Sequence, residues 1–131
     1  MAVTIDGSAG MTTNAGGSVN PSTTIDGINY SCRAWVNFNG TSTVAIRASG
    51  NVTSITDNGT GDYTVNFTTA MSDANYCTVG TCNFDAAGTN GRFVSAPYTT
   101  APTVSAIRVN TQLSSTLALN DCVFVFVSIF R

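Results

Sequence analysis

The stretch CVFVFVSIFR, residues 122–131, restricts the fold of this chain more than any other. Along it Phe124, Phe126 and Phe130 alternate with Val123, Val125, Val127 and Ile129, a period of two that belongs to an extended strand. Both faces of that strand are apolar, so both need cover. The run is about half the length that a membrane-spanning helix requires, which excludes insertion as a helix. Such a strand lies either at the centre of a sandwich or between subunits. Phe124, Phe126 and Phe130 are therefore the candidates for an oligomer interface.

The same period recurs upstream. In CRAWVNFNGTSTVAIRAS, Ala34, Val36 and Phe38 share one face, Asn39-Gly40 supplies a turn, and Val44, Ile46 and Ala48 alternate after it. If the two apolar sets share a face, Phe38 pairs with Val44 and Trp35 falls opposite Arg47 on the other side, where cross-strand neighbours touch. A surface stack, a contact between subunits and a ligand platform are the three uses open to that pair. A second hairpin is expected in ITDNGTGDYTVNF, residues 55–67. Tyr63, Val65 and Phe67 share a face, and Ile55 joins them if it pairs with Tyr63 across an odd loop. Asn58-Gly59 supplies residues that tolerate positive φ.

Further strand-like runs are NYCTVGTC, VSAIRVNT and STLALND, and no window of helical length has a 3.6-residue period. AMSDAN makes a single turn at most. The pattern predicts an all-β chain, an antiparallel β-sandwich or jelly-roll-like barrel of about seven to nine short strands. Residues 1–31 are poor in large apolar groups, carry Pro21, and contain TIDG at Thr4–Gly7 and again at Thr24–Gly27. Two copies of four residues do not make a repeat fold. This segment is expected to form an extended N-terminal arm for attachment, or short edge strands, with residues 32–131 as the sandwich domain.

Composition narrows the function. Charged residues make up 9% of the 131, with five cations, seven anions and no histidine; every cation is Arg and every anion Asp. A chain with so little charge has little to keep copies apart, which favours an oligomer. The five arginines are scattered and the net charge is −2, so no basic stripe offers itself to nucleic acid. General acid–base catalysis near neutral pH lacks its usual histidine or lysine. Asp57 and Asp62 flank the second turn and are the only carboxylate pair to consider, or, with Asn58, a weak cation site without EF-hand spacing. No enzyme and no cofactor are expected.

MAVTIDGSAG has neither a basic start nor an apolar core, so folding is expected in the compartment that makes the chain. The default for Cys32, Cys77, Cys82 and Cys122 is then free thiols, although two bridges in three connectivities are conceivable. The spacing of CTVGTC, Cys77 to Cys82, falls within the range of a zinc knuckle that would need the other two cysteines alongside.

One segment carries more than a pattern. RAWVNFNGTSTVAIRASGNVTSITDNGTGDYTVNFTTAMSDANY, residues 33–76, resembles a segment that recurs at the ends of bacteriophage and prophage tail-fibre proteins. The shared strings are RAWVNFNGT, VAIR, SITDNGTGDYTVNFTTAM and DANY. The resemblance implies a β-rich virion structural protein, a homotrimer exposed on the particle and assembled in the bacterial host cytoplasm. It carries over no catalytic residue. A short tail fibre or receptor-binding protein would touch host-surface glycans, whose sites favour exposed aromatics beside polar groups; Trp35, Arg47, Arg92 and Tyr98 are the candidates for a glycan or partner contact. A trimeric capsid cement protein, gripping the shell through its N-terminal arm, is the alternative.

Overall fold

A computed structural model describes residues 31–83 and 90–131 in full, with the backbone of two short strands near the N-terminus. The chain divides into two units, Met1–Ser31 and Cys32–Arg131. In the first, β1 (Val3–Asp6) and β2 (Gly10–Thr13) pair antiparallel, with Val3 against Thr13 and Asp6 against Gly10. Pro21 and the second TIDG lie outside the described residues, as does Phe84.

The second unit is a β-sandwich of eight strands. They are β3 (Cys32–Asn39), β4 (Ala45–Gly50), β5 (Val52–Gly59), β6 (Asp62–Phe67), β7 (Cys77–Cys82), β8 (Arg92–Ser95), β9 (Ala106–Leu113) and β10 (Val125–Phe130). One sheet has the order β4-β3-β10-β7 and the other β5-β6-β9-β8, every pair antiparallel. Of the two expected architectures the sandwich is the one adopted. AMSDAN makes bends rather than a helical turn. No helix among the described residues is long and apolar enough to cross a membrane.

The two-residue period explains the core. Ala34, Val36 and Phe38 on β3, and Val125, Val127 and Ile129 on β10, face inward and are almost wholly buried. Tyr63 and Val65 on β6, with Ile107 and Val109 on β9, meet them from the other sheet. At the centre, Phe38 and Tyr63 meet edge to face, with ring centroids 5.1 Å apart. Such a pair adds about 0.5–1.5 kcal/mol beyond the area it buries.

Both expected hairpins form, each in a register other than the simple one. Phe38 pairs with Ile46, not Val44, and a bulge at Arg47 then sets Asn37 against Ala48 and Trp35 against Gly50. Trp35 therefore does not lie opposite Arg47, and Ala48 leaves the core face for the exposed one. A bulge inserts one unpaired residue, and so flips every later side chain on its strand. In the second hairpin Ile55 pairs with Val65 and Asp57 with Tyr63, with a bulge at Asn58 before Gly59 meets Asp62. The register is displaced by two from the expected Ile55–Tyr63 pair, and a displacement of two keeps Ile55 on the core side. Thr60 and Gly61 close the turn, Gly61 with φ +64°.

Tyr63 is also the polar tie at one end of the core. Its hydroxyl lies 2.7 Å from the Gly40 carbonyl oxygen and 2.8 Å from Asp121 Oδ1, and shares its one proton between them. Asp121 Oδ1 also accepts from Gly61 N at 2.7 Å. The strand ends of both sheets are thus joined through one carboxylate. Burial, and then the Asp121 carboxylate, push the Tyr63 hydroxyl well above its ordinary ionisation range.

Candidate functional site

Inward alternation leaves a second row of side chains on the outside of each sheet, and the two outsides differ. On the β5-β6-β9-β8 sheet the outer row is polar along β5, β6 and β9, where its side chains bind one another, with Phe93 on the edge strand β8 beside Gln112. Asn66 Nδ2 donates to Thr56 Oγ1 at 2.9 Å and Ser54 Oγ at 3.1 Å, and Asn58 Nδ2 donates to Thr64 Oγ1 at 2.9 Å. Arg108 grips Asp62 with two donors, Nε to Oδ1 at 2.8 Å and Nη2 to Oδ2 at 2.5 Å. The Arg108 guanidinium holds the Asp62 carboxyl below the usual range. Asp57 instead caps the turn, accepting from Gly59 N at 3.0 Å. The two aspartates thus serve different partners and form no joint carboxylate site.

The outside of the β4-β3-β10-β7 sheet is apolar. Trp35, Val79, Phe124, Phe126 and Phe130 make up half of the exposed large hydrophobic side chains among the described residues, each between 37% and 57% exposed. The register assembles them. Ser128 on the central strand β10 pairs with Trp35 on one side and Val79 on the other, and Phe126 pairs with Asn37 and Thr81. Phe124 and Phe126 stack with planes 5° apart and centroids at 6.4 Å. The bulge at Arg47 lets its guanidinium cover the end of that stack, with Cζ 4.3 Å from the Phe124 centroid. Trp35 lies flat across Gly50, occupying the space that a Cβ there would need. Beneath the row, Asn37 Oδ1 is buried without a hydrogen-bond partner.

The residues singled out from sequence separate into three places. Trp35, Arg47, Phe124, Phe126 and Phe130 come together on this one face. Tyr98, 99% exposed, belongs to the loop between β8 and β9. Arg92 is half-buried on β8, its Nη1 3.9 Å from Cys122 Sγ and its Nε buried without a partner. That position turns its guanidinium toward the interior and away from both aromatic groups. Val79 escaped notice because CTVGTC is too short and too weakly apolar to show which face it presents; only its pairing with β10 reveals that.

The cysteines are all free thiols. Cys77 and Cys82 stand at opposite ends of β7, about 16 Å apart at strand rise and, five positions apart, on opposite faces. The zinc-knuckle spacing is therefore spread along a strand and cannot close on one ion. Among the described residues no group of three metal-ligating side chains comes together.

No protein-family model, no curated protein and no solved structure matches the chain.

Proposed function

We propose that this chain is a structural protein of a bacteriophage particle, a short tail fibre or receptor-binding protein whose copies associate through the outer face of the β4-β3-β10-β7 sheet. The observation that carries this is the contrast between the two outsides of the sandwich. One binds its own polar groups; the other leaves a stacked aromatic row half in water. Contiguous apolar surface on that scale marks an association site. Burying four half-exposed aromatics against a neighbour recovers roughly 25 cal/mol for each Å² removed from water. The resemblance of residues 33–76 to tail-fibre segments supplies the class of particle. In the fold those residues form β3 to β6 and lead into β7, so the resemblance spans both sheets. A homotrimer is the assembly proposed.

Within this proposal Trp35 and Arg47 belong to the subunit contact, and host-surface glycan contact falls to Tyr98, whose ring is fully presented. Two measurements test it. Sedimentation at micromolar concentration is expected to give a species of three times 13.5 kDa, and Phe126→Lys is expected to give a folded monomer. A wild-type monomer would overturn association, and a dimer the threefold arrangement. Electron microscopy of labelled particles is expected to place the chain on the tail; label covering the head would replace the fibre with capsid decoration.

A further inference from the structure

We propose that Asn58, in the turn between β5 and β6, is a site of spontaneous deamidation, at which the folded protein gains a carboxylate as it ages. Two hairpins of the sandwich carry an Asn-Gly pair, Asn39-Gly40 at the end of β3 and Asn58-Gly59 at the end of β5. Such a pair is reactive because glycine has no side chain to keep its amide from the asparagine Cγ. The fold treats the two pairs in opposite ways. Gly40 is buried, and its amide donates to the Cys122 carbonyl at 2.9 Å. A Cβ there would lie 2.5 Å from the Tyr63 hydroxyl. Asn39 is fastened as well, with Nδ2 donating to the Thr41 carbonyl at 2.8 Å and Oδ1 accepting from Thr41 Oγ1 at 2.9 Å.

At the other turn both residues are exposed. Asn58 is the extra residue of the β5 bulge, so no residue of β6 pairs with it. Gly59 is open, with nothing within 4 Å of where a Cβ would lie. Its amide donates to Asp57 Oδ1 at 3.0 Å, and Asn58 Nδ2 donates to Thr64 Oγ1 at 2.9 Å. Both bonds are exposed, and water replaces them whenever the turn opens locally. The Gly59 nitrogen then attacks Asn58 Cγ. The new C–N bond closes a five-membered imide, the Cγ–Nδ2 bond breaks, and Nδ2 leaves with the Gly59 amide proton as ammonia. Water opens the imide at either carbonyl. One opening leaves aspartate; the other leaves isoaspartate, in which the chain runs through the former side chain. One amide and one water thus become one carboxylate and one ammonium ion. Each event adds a negative charge to a net charge of −2, in a turn that already holds Asp57 and Asp62.

The test incubates the full chain at mildly alkaline pH, half of it folded and half in guanidinium chloride. Peptide mapping with fragmentation gives the rate at each asparagine, and methylation by an isoaspartate methyltransferase counts the rearranged product. Unfolded, Asn39 and Asn58 are expected to react at similar rates, because both precede glycine. Folded, Asn58 is expected to stay within about tenfold of its unfolded rate, since only the turn has to open. Asn39 is expected to fall at least about a hundredfold below its own, since its glycine amide is freed only when the core opens. Equal protection of the two on folding, or faster reaction at Asn39, would overturn the proposal. So would a folded Asn58 that stays intact while the unfolded chain is fully converted. Both rates are read on the wild-type chain, so the test depends on no variant that has to fold.

Discussion

The Arg47 guanidinium covers the Phe124 ring at 4.3 Å, and it reaches that ring because Arg47 is the extra residue of a bulge. In the register expected from sequence, with Phe38 opposite Val44, it would stand opposite Trp35; with Phe38 opposite Ile46 and no bulge it would stand opposite Asn37. The bulge thus links a local backbone irregularity on β4 to the aromatic row on β10. Arg47→Ala is expected to cost about 0.5–1 kcal/mol in urea unfolding of the dissociated chain, the range for an exposed cation–π pair. Arg47→Lys should retain part of it. Equal loss in both variants would show that the ring contact contributes nothing.

Asn51 is the hinge where the chain leaves one sheet for the other. It has φ +57°, donates from Nδ2 to the Arg33 and Thr69 carbonyls at 3.0 and 3.1 Å, and accepts from Thr69 N at 2.7 Å. Asn51→Ala loses all three bonds and strains the backbone, for about 2–3 kcal/mol. Asn51→Gly relieves the strain alone and should fall about 1 kcal/mol short of that loss. Alanine and glycine variants of equal stability would refute the part given to φ.

Gly61 has less freedom still. Its φ is +64°, and an added Cβ would lie 2.6 Å from the Thr111 carbonyl oxygen and 2.5 Å from Asn120 N, both backbone atoms. Gly61→Ala is therefore expected to lose more than about 2 kcal/mol by denaturant unfolding. At Gly59 φ is +130° but a Cβ meets nothing within 4 Å, so Gly59→Ala should cost less. The reverse order would contradict the packing described for the turn.

Alkali should destabilise this protein progressively from about pH 9 upward. Tyr63 and Cys82 hold their protons in the folded state beyond their ordinary values of 10.0 and 9.0, Cys82 to about 12. Above those ordinary values the unfolded chain releases protons that the folded chain keeps. Stability is therefore complete below about pH 9 and falls as pH rises, by up to about 1.4 kcal/mol per pH unit for each group. Tyr63→Phe should be less stable at pH 7, since it removes the hydroxyl held between the Gly40 carbonyl and Asp121 Oδ1 and leaves Asp121 only the Gly61 amide, and should show a shallower alkaline slope. Thermal unfolding midpoints from pH 7 to 11 measure both effects, and an unchanged slope in the variant would remove Tyr63 from the account.

Much of the fold is legible in the chain because its cause is local. Alternation along Ala34–Phe38, Tyr63–Phe67 and Val125–Ile129 fixes which side chains turn inward whatever they later meet. The candidate face was half legible for the same reason. Phe124, Phe126 and Phe130 share a side by spacing alone, and Trp35 is excluded from the core by its neighbours.

Register was not legible. A bulge costs little locally and is selected by what it brings together, here Arg47 with Phe124, and Asp57 with the amide of Gly59. Partners distant along the chain were equally hidden: Asp62 with Arg108, and Asp121 with Tyr63 and Gly61. The sequence by itself determined an all-β chain and the inward side chains of β3, β6 and β10, because a two-residue period is a property of the extended backbone. Only the tertiary structure decided which outer face is polar and which aromatic, because that depends on the order in which strands join their sheets.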